Sequence, residues 1–378
     1  MSSASMFIGL MSGTSLDGVD GVLARFNASG AMQVQAHAFA PFPDAFKADL
    51  LQLNQSGPDE LHRAALAGNG IARHYAQVVQ MLLAQTGQAP EAITAIGAHG
   101  QTVRHRPLEF DAQPGQPAVG YTLQLNNPAL LAELTGIDVV ADFRSRDLAA
   151  GGQGAPLVPA FHQGVFGQTG HCVAVLNIGG ISNLSVLQAH GQVMGWDCGP
   201  GNALMDHWCQ THTGQAFDRN GEWAASGQTS TPLLTRLLSE AYLNKQPPKS
   251  TGRDLFNPAW LQQHLADLPD LPAQDVQATL TAFTAEACVR DVRQHAPAAQ
   301  GLIVCGGGAL NGHLMALLAR GLPGVQVLSS EEHGLPPLQV EAAAFAWLAF
   351  KAVRREPASL TSVTGARGAR VLGALYPR

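Results

Sequence analysis

Apolar and polar positions along this chain fall into two copies of one pattern. Phe7-Ile8-Gly9-Leu10-Met11 is an apolar run that breaks at the small polar turn Ser12-Gly13-Thr14-Ser15 and resumes, past Leu16-Asp17-Gly18, at Val19. Residues 173–178 do the same, breaking at Gly179-Gly180 and resuming over 181–185. Short apolar runs bounded by glycine and hydroxyl residues predict strands joined by tight turns. A second pair lies downstream: 93–98 runs into His99-Gly100-Gln101-Thr102, and 302–305 runs into Gly306-Gly307-Gly308. The repeated order of hairpin, helical stretch, strand and glycine turn predicts one α/β unit used twice, the two copies facing each other across a cleft.

Between these landmarks, 43–51 and 58–86 carry apolar residues at helical spacing, among them Leu61, Ala65, Ile71, Ala72, Ala76, Val79 and Leu82. Residues 104–116 are polar and contain proline, which predicts a loop leading into the apolar run 118–125. Asn127, Pro128 and Gly136 mark the N-cap, first position and end of a short helix, followed by a strand over 137–141. The polar, glycine-rich stretches 142–147 and 150–156 then stand where α/β proteins place ligand chemistry; a solvated loop held by its own ion pairs is the other reading. In the second copy the strand 193–196 gives way to Asp197-Cys198-Gly199-Pro200-Gly201-Asn202 before a helical stretch over 203–210. Helices are also predicted over 231–243, 261–268 and 341–353, with 247–253 as a loop.

Composition narrows the field. The 378 residues, 46% of them apolar and 13% charged, suffice for two domains with a large core. A formal charge of -6 gives no reason to expect a nucleic-acid or anionic-membrane partner. Cys172, Cys198, Cys209, Cys288 and Cys305 form no CxxC, so neither a disulfide framework nor a thiolate zinc site is indicated, and His207 and Cys209 stand two apart on a helical stretch, facing different ways. No metal-ligand set is predicted. The start carries no basic residues and no uncharged run is long enough to span a bilayer, so a cytoplasmic protein is expected.

Glycine turns of this kind suit phosphate, because glycine allows positive φ and close approach of backbone N–H groups. Residues 9–18 lack the Lys followed by Ser or Thr of a Walker A loop, which leaves the grip to backbone N–H groups, Thr14 and Ser15; a plain hairpin with a wide turn is the competing reading. Asp197 is either a general base at a strand end or a turn residue bonding the backbone of 198–201. Arg144 and Arg146 either hold a carboxylate or phosphate through their planar forks or pair with Asp142 and Asp147. His99 and His105 either bond a substrate or serve the local structure.

These motifs, Gly9 to Gly18, Gly100 to His105, Asp142 to Pro159, Asn177 to Asn183, Asp197 to Asn202 and Cys305 to Ala309, occur in an order that resembles the anhydro-N-acetylmuramic acid kinases along nearly the whole chain. That family sits in the superfamily of sugar kinases, heat-shock ATPases and actin. The resemblance implies two ribonuclease-H-like (actin-like ATPase) domains flanking a hinged active-site cleft, over 1–140, completed by 355–378, and over 141–354. It implies an ATP- and Mg2+-dependent kinase that opens the 1,6-anhydro ring of 1,6-anhydro-N-acetylmuramic acid with water and phosphorylates the 6-oxygen, in peptidoglycan recycling, as a homodimer. Asp197 matches the catalytic aspartate. Gly13, Thr14, Ser15, Leu16, Asp17, Gly18, Val19 and Asp20 match the ATP phosphate loop, Asn177, Gly179 and Gly180 form the second clamp, and Gly306, Gly307 and Gly308 match the adenosine-side turn. Arg146 and Glu341, with His99, fall toward the sugar. Met11 stands where many superfamily members carry an Asp that helps hold Mg2+, so Asp17, Asp20 or Asp197 would serve instead; Leu125-Asn126 replaces an Ile-Gly pair. The alternatives are another sugar or carboxylate kinase of the superfamily, a nucleotide-driven chaperone or filament subunit, and a sugar-sensing protein with a dead site.

Overall fold

A computed structural model describes residues 5–13, 16–107, 109, 114–115, 118–247, 249–252 and 255–378. Among them the strands are β1 (Ser5–Met11), β2 (Gly18–Phe26), β3 (Met32–Pro41), β4 (Ile93–Ala98), β5 (Gln101–Pro107), β6 (Gly120–Leu125), β7 (Val139–Ala141), β8 (Val173–Ile178), β9 (Ile181–Leu187), β10 (Val193–Pro200), β11 (Gly301–Cys305), β12 (Gln326–Ser329) and β13 (Ala374–Tyr376). They form a sheet β3-β2-β1-β4-β7-β13 and a sheet β10-β9-β8-β11-β12. In each, three strands form an antiparallel meander and two more add in parallel beside the first strand of the meander. Apart from β13, both sheets therefore follow the ribonuclease-H-like order third, second, first, fourth, fifth, and the duplication expected from the sequence is present.

The chain divides into one unit of Met1–Val165 with Gln339–Arg378 and a second of Phe166–Leu338. These bounds differ from 1–140 with 355–378 and 141–354. The helix Val340–Val353 packs on β1, β2 and β4, which places it in the first unit. Its approach is close because Gly9 and Gly97 present bare backbone: a Cβ on Gly97 would lie 2.8 Å from the Phe345 carbonyl carbon. The helix Glu60–Thr86 lends Ile71, Ala72, Tyr75, Val78, Val79 and Leu82 to the core of this unit. In the second unit, the helix Ala273–His295 is buried along most of its length and carries Val276, Leu280 and Phe283 against Trp196, Trp260 and the strands.

Local sequence signals account for several ends. Asn127 Oδ1 accepts from the Leu130 N–H at 3.0 Å, Pro128 opens the helix Pro128–Thr135, and Gly136 closes it at φ 67°. Other expectations are corrected. Residues 101–107, expected in part as loop, form β5 and pair with β6; Val103 points inward while Arg104 pairs with Glu60 and donates to the Leu53 carbonyl, so polar side chains disguise a strand. The helix expected over 231–243 ends at Leu238 and is followed by a 3-10 turn, Ala241–Asn244. The helix Ala273–His295 is buried nearly all round, with Gln277, Thr279, Thr281 and Thr284 among its buried residues, and so lacks the one-sided apolar pattern that reveals a surface helix.

Candidate functional site

In the first unit the turn after β1 is pinned from below. Ser12 is buried, with its hydroxyl 3.1 Å from that of Tyr75 and donating to the Gly100 carbonyl at 3.3 Å. Gln101 Nε2 donates to the Gly13 carbonyl at 3.1 Å, and the Leu16 N–H donates to the same oxygen at 3.2 Å. Leu16 takes φ 59° yet is buried, so its apolar side chain secures a backbone shape that glycine usually supplies. Thr14 and Ser15 lie outside the described residues. Asp17 is exposed beside Lys47 at 3.5 Å. Gly18 opens β2, where a Cβ would strike the backbone of β3. Val19 is buried, and Asp20, opposite Met11 in the hairpin, lies 3.1 Å from His37.

A polar cluster stands in the same unit. Arg144 donates to His99 Nε2 from Nε at 3.2 Å and from Nη2 at 2.9 Å, and to the Gly154 carbonyl from Nη1 at 2.8 Å. His99 therefore accepts at Nε2, and burial together with the Arg144 charge holds it neutral, well below the usual histidine range. Burial also lowers Arg144 to about 10, against the attraction of Glu341. Glu341 is raised by burial and by Asp20, and pulled back by Arg144. Arg146, expected at the sugar end, is exposed on the helix Ser145–Ala149, while Arg144 lies against His99 and feels the charge of Glu341. Neither arginine pairs with Asp142 or Asp147 among the described residues. Asp147 is fully buried and accepts from the Gly154 N–H at 2.8 Å and the Thr364 hydroxyl at 2.9 Å, fixing the glycine-rich segment. His105 meets Thr122 at 3.0 Å in the β5–β6 hairpin.

In the second unit, the β8–β9 turn docks on the start of the helix Ala203–Thr213. The Gly179 carbonyl accepts from Asn202 N–H at 2.7 Å, and that of Gly180 from Gly201 at 3.0 Å and Ala203 at 3.2 Å. Asn202 Nδ2 donates to the Ile178 carbonyl at 3.1 Å. Beside this turn Gly306 leaves β11 at φ 76°, where a Cβ would lie 2.5 Å from Asn177 Oδ1; Gly308 packs on Ile178, and a Cβ on Gly307 would come only within 3.3 Å of Asn202 Nδ2. Asn177, Gly179, Gly180 and Gly306 to Gly308 thus converge at the C-terminal ends of β8 and β11, where open α/β sheets bind ligands.

Asp197 stands on β10 opposite Asn183, at a bulge that precedes Gly199. Its Oδ2 accepts from the Thr251 N–H at 3.0 Å, its own N–H donates to the Lys249 carbonyl at 3.1 Å, and its carbonyl accepts from the Tyr242 hydroxyl at 2.8 Å. The carboxylate thus turns to the loop at 251 rather than to the backbone of 198–201. Burial pushes Asp197 up to about 6, against the Thr251 N–H and the Lys249 charge. Thr251, Lys249 and Tyr242 gave no signal in the sequence, because they lie in or before a proline-rich loop that only folding brings beside β10.

Paired ribonuclease-H-like units, with glycine turns at the strand ends of each and a carboxylate of raised basicity in one, define an actin-like phosphotransferase. The model of the family described as anhydro-N-acetylmuramic acid kinase matches residues 5–378, and the chain belongs to that family. It is 65% identical to an anhydro-N-acetylmuramic acid kinase of Variovorax paradoxus over 380 residues, covering 99% of this chain and 100% of that one. Kinases of the same name from Albidiferax ferrireducens and Cupriavidus pinatubonensis are 56% and 57% identical, over 99% and 98% of this chain and 100% and 98% of theirs.

Proposed function

We propose that this chain uses ATP and water to convert 1,6-anhydro-N-acetylmuramic acid into N-acetylmuramic acid 6-phosphate and ADP, as a cytoplasmic homodimer in cell-wall recycling. The observation that carries the mechanism is the setting of Asp197: one carboxylate oxygen is held by the Thr251 N–H, and burial brings its basicity close to neutral pH. Asp197 Oδ1 takes a proton from water, and the water oxygen bonds to the anomeric carbon as the bond from that carbon to the 6-oxygen breaks. The 6-oxygen keeps the electron pair and attacks the γ-phosphorus, and ADP leaves. The phosphoryl group here takes the part that an acid plays toward the leaving oxygen in inverting glycosidases, so no second base is required.

Gly13 and Gly18 of the first clamp, with Thr14 and Ser15, and Gly179, Gly180 and Gly306 to Gly308 of the second, would hold the nucleotide; Arg144, His99 and Glu341 would face the sugar. Among the described residues no three His, Cys, Asp or Glu come together to cage a metal ion. Mg2+ keeps most of its waters and uses one or two carboxylates with substrate phosphates; Asp20, half-buried at the start of β2, would supply the carboxylate. Mg2+ supplies charge neutralisation on the phosphates. Among the described residues no helix is long and apolar enough to cross a membrane.

The test is ADP release with the anhydro sugar, ATP and Mg2+ in heavy-oxygen water, with mass spectrometry of the sugar. A 6-phosphate bearing the label at its anomeric oxygen is expected. ADP without that product would reject the reading.

A further inference from the structure

Behind Asp197 lies a polar group that the reaction itself does not use. Lys249 Nζ is 3.1 Å and 3.2 Å from the two carboxylate oxygens of Asp291, and the two side chains are only 2% and 3% exposed. Asp291 Oδ2 also accepts from Trp196 Nε1 at 2.7 Å, and Lys249 Nζ lies 5.4 Å from the centre of the Tyr242 ring. Three members of this group reach Asp197 directly by chain or by bond, and Asp291 holds two of them. Trp196 precedes it on β10, the Tyr242 hydroxyl donates to its carbonyl, and the Lys249 carbonyl accepts from its N–H.

A buried ion pair is a poor means of stabilising a fold, since desolvation offsets most of the Coulomb gain. A lysine in a loop of proline, serine and glycine would ordinarily extend into water. Here the pair has a geometric consequence instead. Anchoring Lys249 on the rigid helix Ala273–His295 fixes the backbone of 249–251 along β10, and the Thr251 N–H in that segment is what holds Asp197 Oδ2.

We infer that Lys249 and Asp291 are a positioning pair for the kinase reaction: they lock residues 249–251 so that the Thr251 N–H turns the Asp197 carboxylate to the reacting water. The inference rests on the reading of Asp197 as the base. K249M strands the Asp291 charge and so tests folding as much as function. K249M/D291N is therefore made beside it, because an amide oxygen still accepts from Trp196 Nε1 and no buried charge remains. The double variant is expected to melt as a folded protein with both KM values unchanged and kcat lowered about 100-fold, the scale of a misplaced catalytic group.

T251P, which deletes the N–H, should lower kcat comparably, and combining it with K249M/D291N should add little, since both act through one bond. A folded double variant with normal kcat, losses that multiply in the combination, or failure of the double variant to fold would each overturn the positioning role. D197N run in parallel separates the two readings. If it keeps turnover, the base assignment fails and this inference with it; if it is dead while K249M/D291N is fully active, only the positioning role fails.

Discussion

Asp197 combines a functional and a thermodynamic consequence of one burial. Its pKa of about 6 is set by desolvation, with the Thr251 N–H and the Lys249 charge opposing. The base must be ionised to accept a proton, so kcat/KM should fall roughly tenfold per pH unit below about 6 and level off above it; a kcat/KM profile flat down to pH 4.5 would contradict the assignment. For stability the sign is reversed. Between its ordinary 3.8 and about 6 the folded protein holds a proton that the unfolded chain has released, so the cost of burying this charge grows as pH rises through that window and is complete above it. D197N should therefore lose turnover by about 100-fold or more while binding ATP normally, and should melt about 2–4 °C higher at pH 7. Calorimetry beside nucleotide titration checks both halves. Arg144 shows the limit of sequence reading at this scale: two arginines two positions apart are indistinguishable in sequence, and only the short helix at 145–149 exposes Arg146 while Arg144 stays against His99.

Elements in this protein are joined where glycine lets backbones touch. The helix Val340–Val353 lies on β1 and β4 across Gly9 and Gly97, and a methyl group at either would fall on its backbone. G97A should destabilise by about 1–3 kcal/mol, the cost of overpacking, measured by urea unfolding. G87A, at a helix end with open space around it and φ 64°, should cost only about 1 kcal/mol. Equal effects at the two sites would show that close approach is not what matters. In the second clamp the tight position is Gly306, since a Cβ on Gly307 has room. Glycine pairs and triplets announced these turns, but which glycine is sterically required depends on what packs over it.

At the scale of the whole molecule, buried neutral histidines set the acid limit. His99 is held well below 6.5 by burial and by Arg144, and burial lowers His162 to about 3. Their contribution is complete above 6.5 and is lost as pH falls below it, because the unfolded chain then binds protons that the folded chain refuses. Unfolding free energy should drop by about 1–1.5 kcal/mol between pH 6.5 and 5.5, about 1 kcal/mol from each histidine less a smaller opposing effect of Asp197 over the same interval. Urea midpoints at the two pH values test this, and no change would mean that both histidines charge without cost.

The order of the elements and their duplication, together with most strand positions and the glycine turns, followed from the sequence by itself. They rest on local physics: apolar periodicity selects strand or helix, and glycine, proline and asparagine select turns and caps within a few residues. The family motifs were legible for the same reason, being short and contiguous. What only the tertiary structure decided was long-range: the return of the helix Val340–Val353 to the first unit, the packing of Arg144 against His99 with Arg146 left exposed, and the buried Lys249–Asp291 pair behind Asp197. Those depend on packing between segments tens of residues apart, where burial and charge are set by partners that no local pattern names.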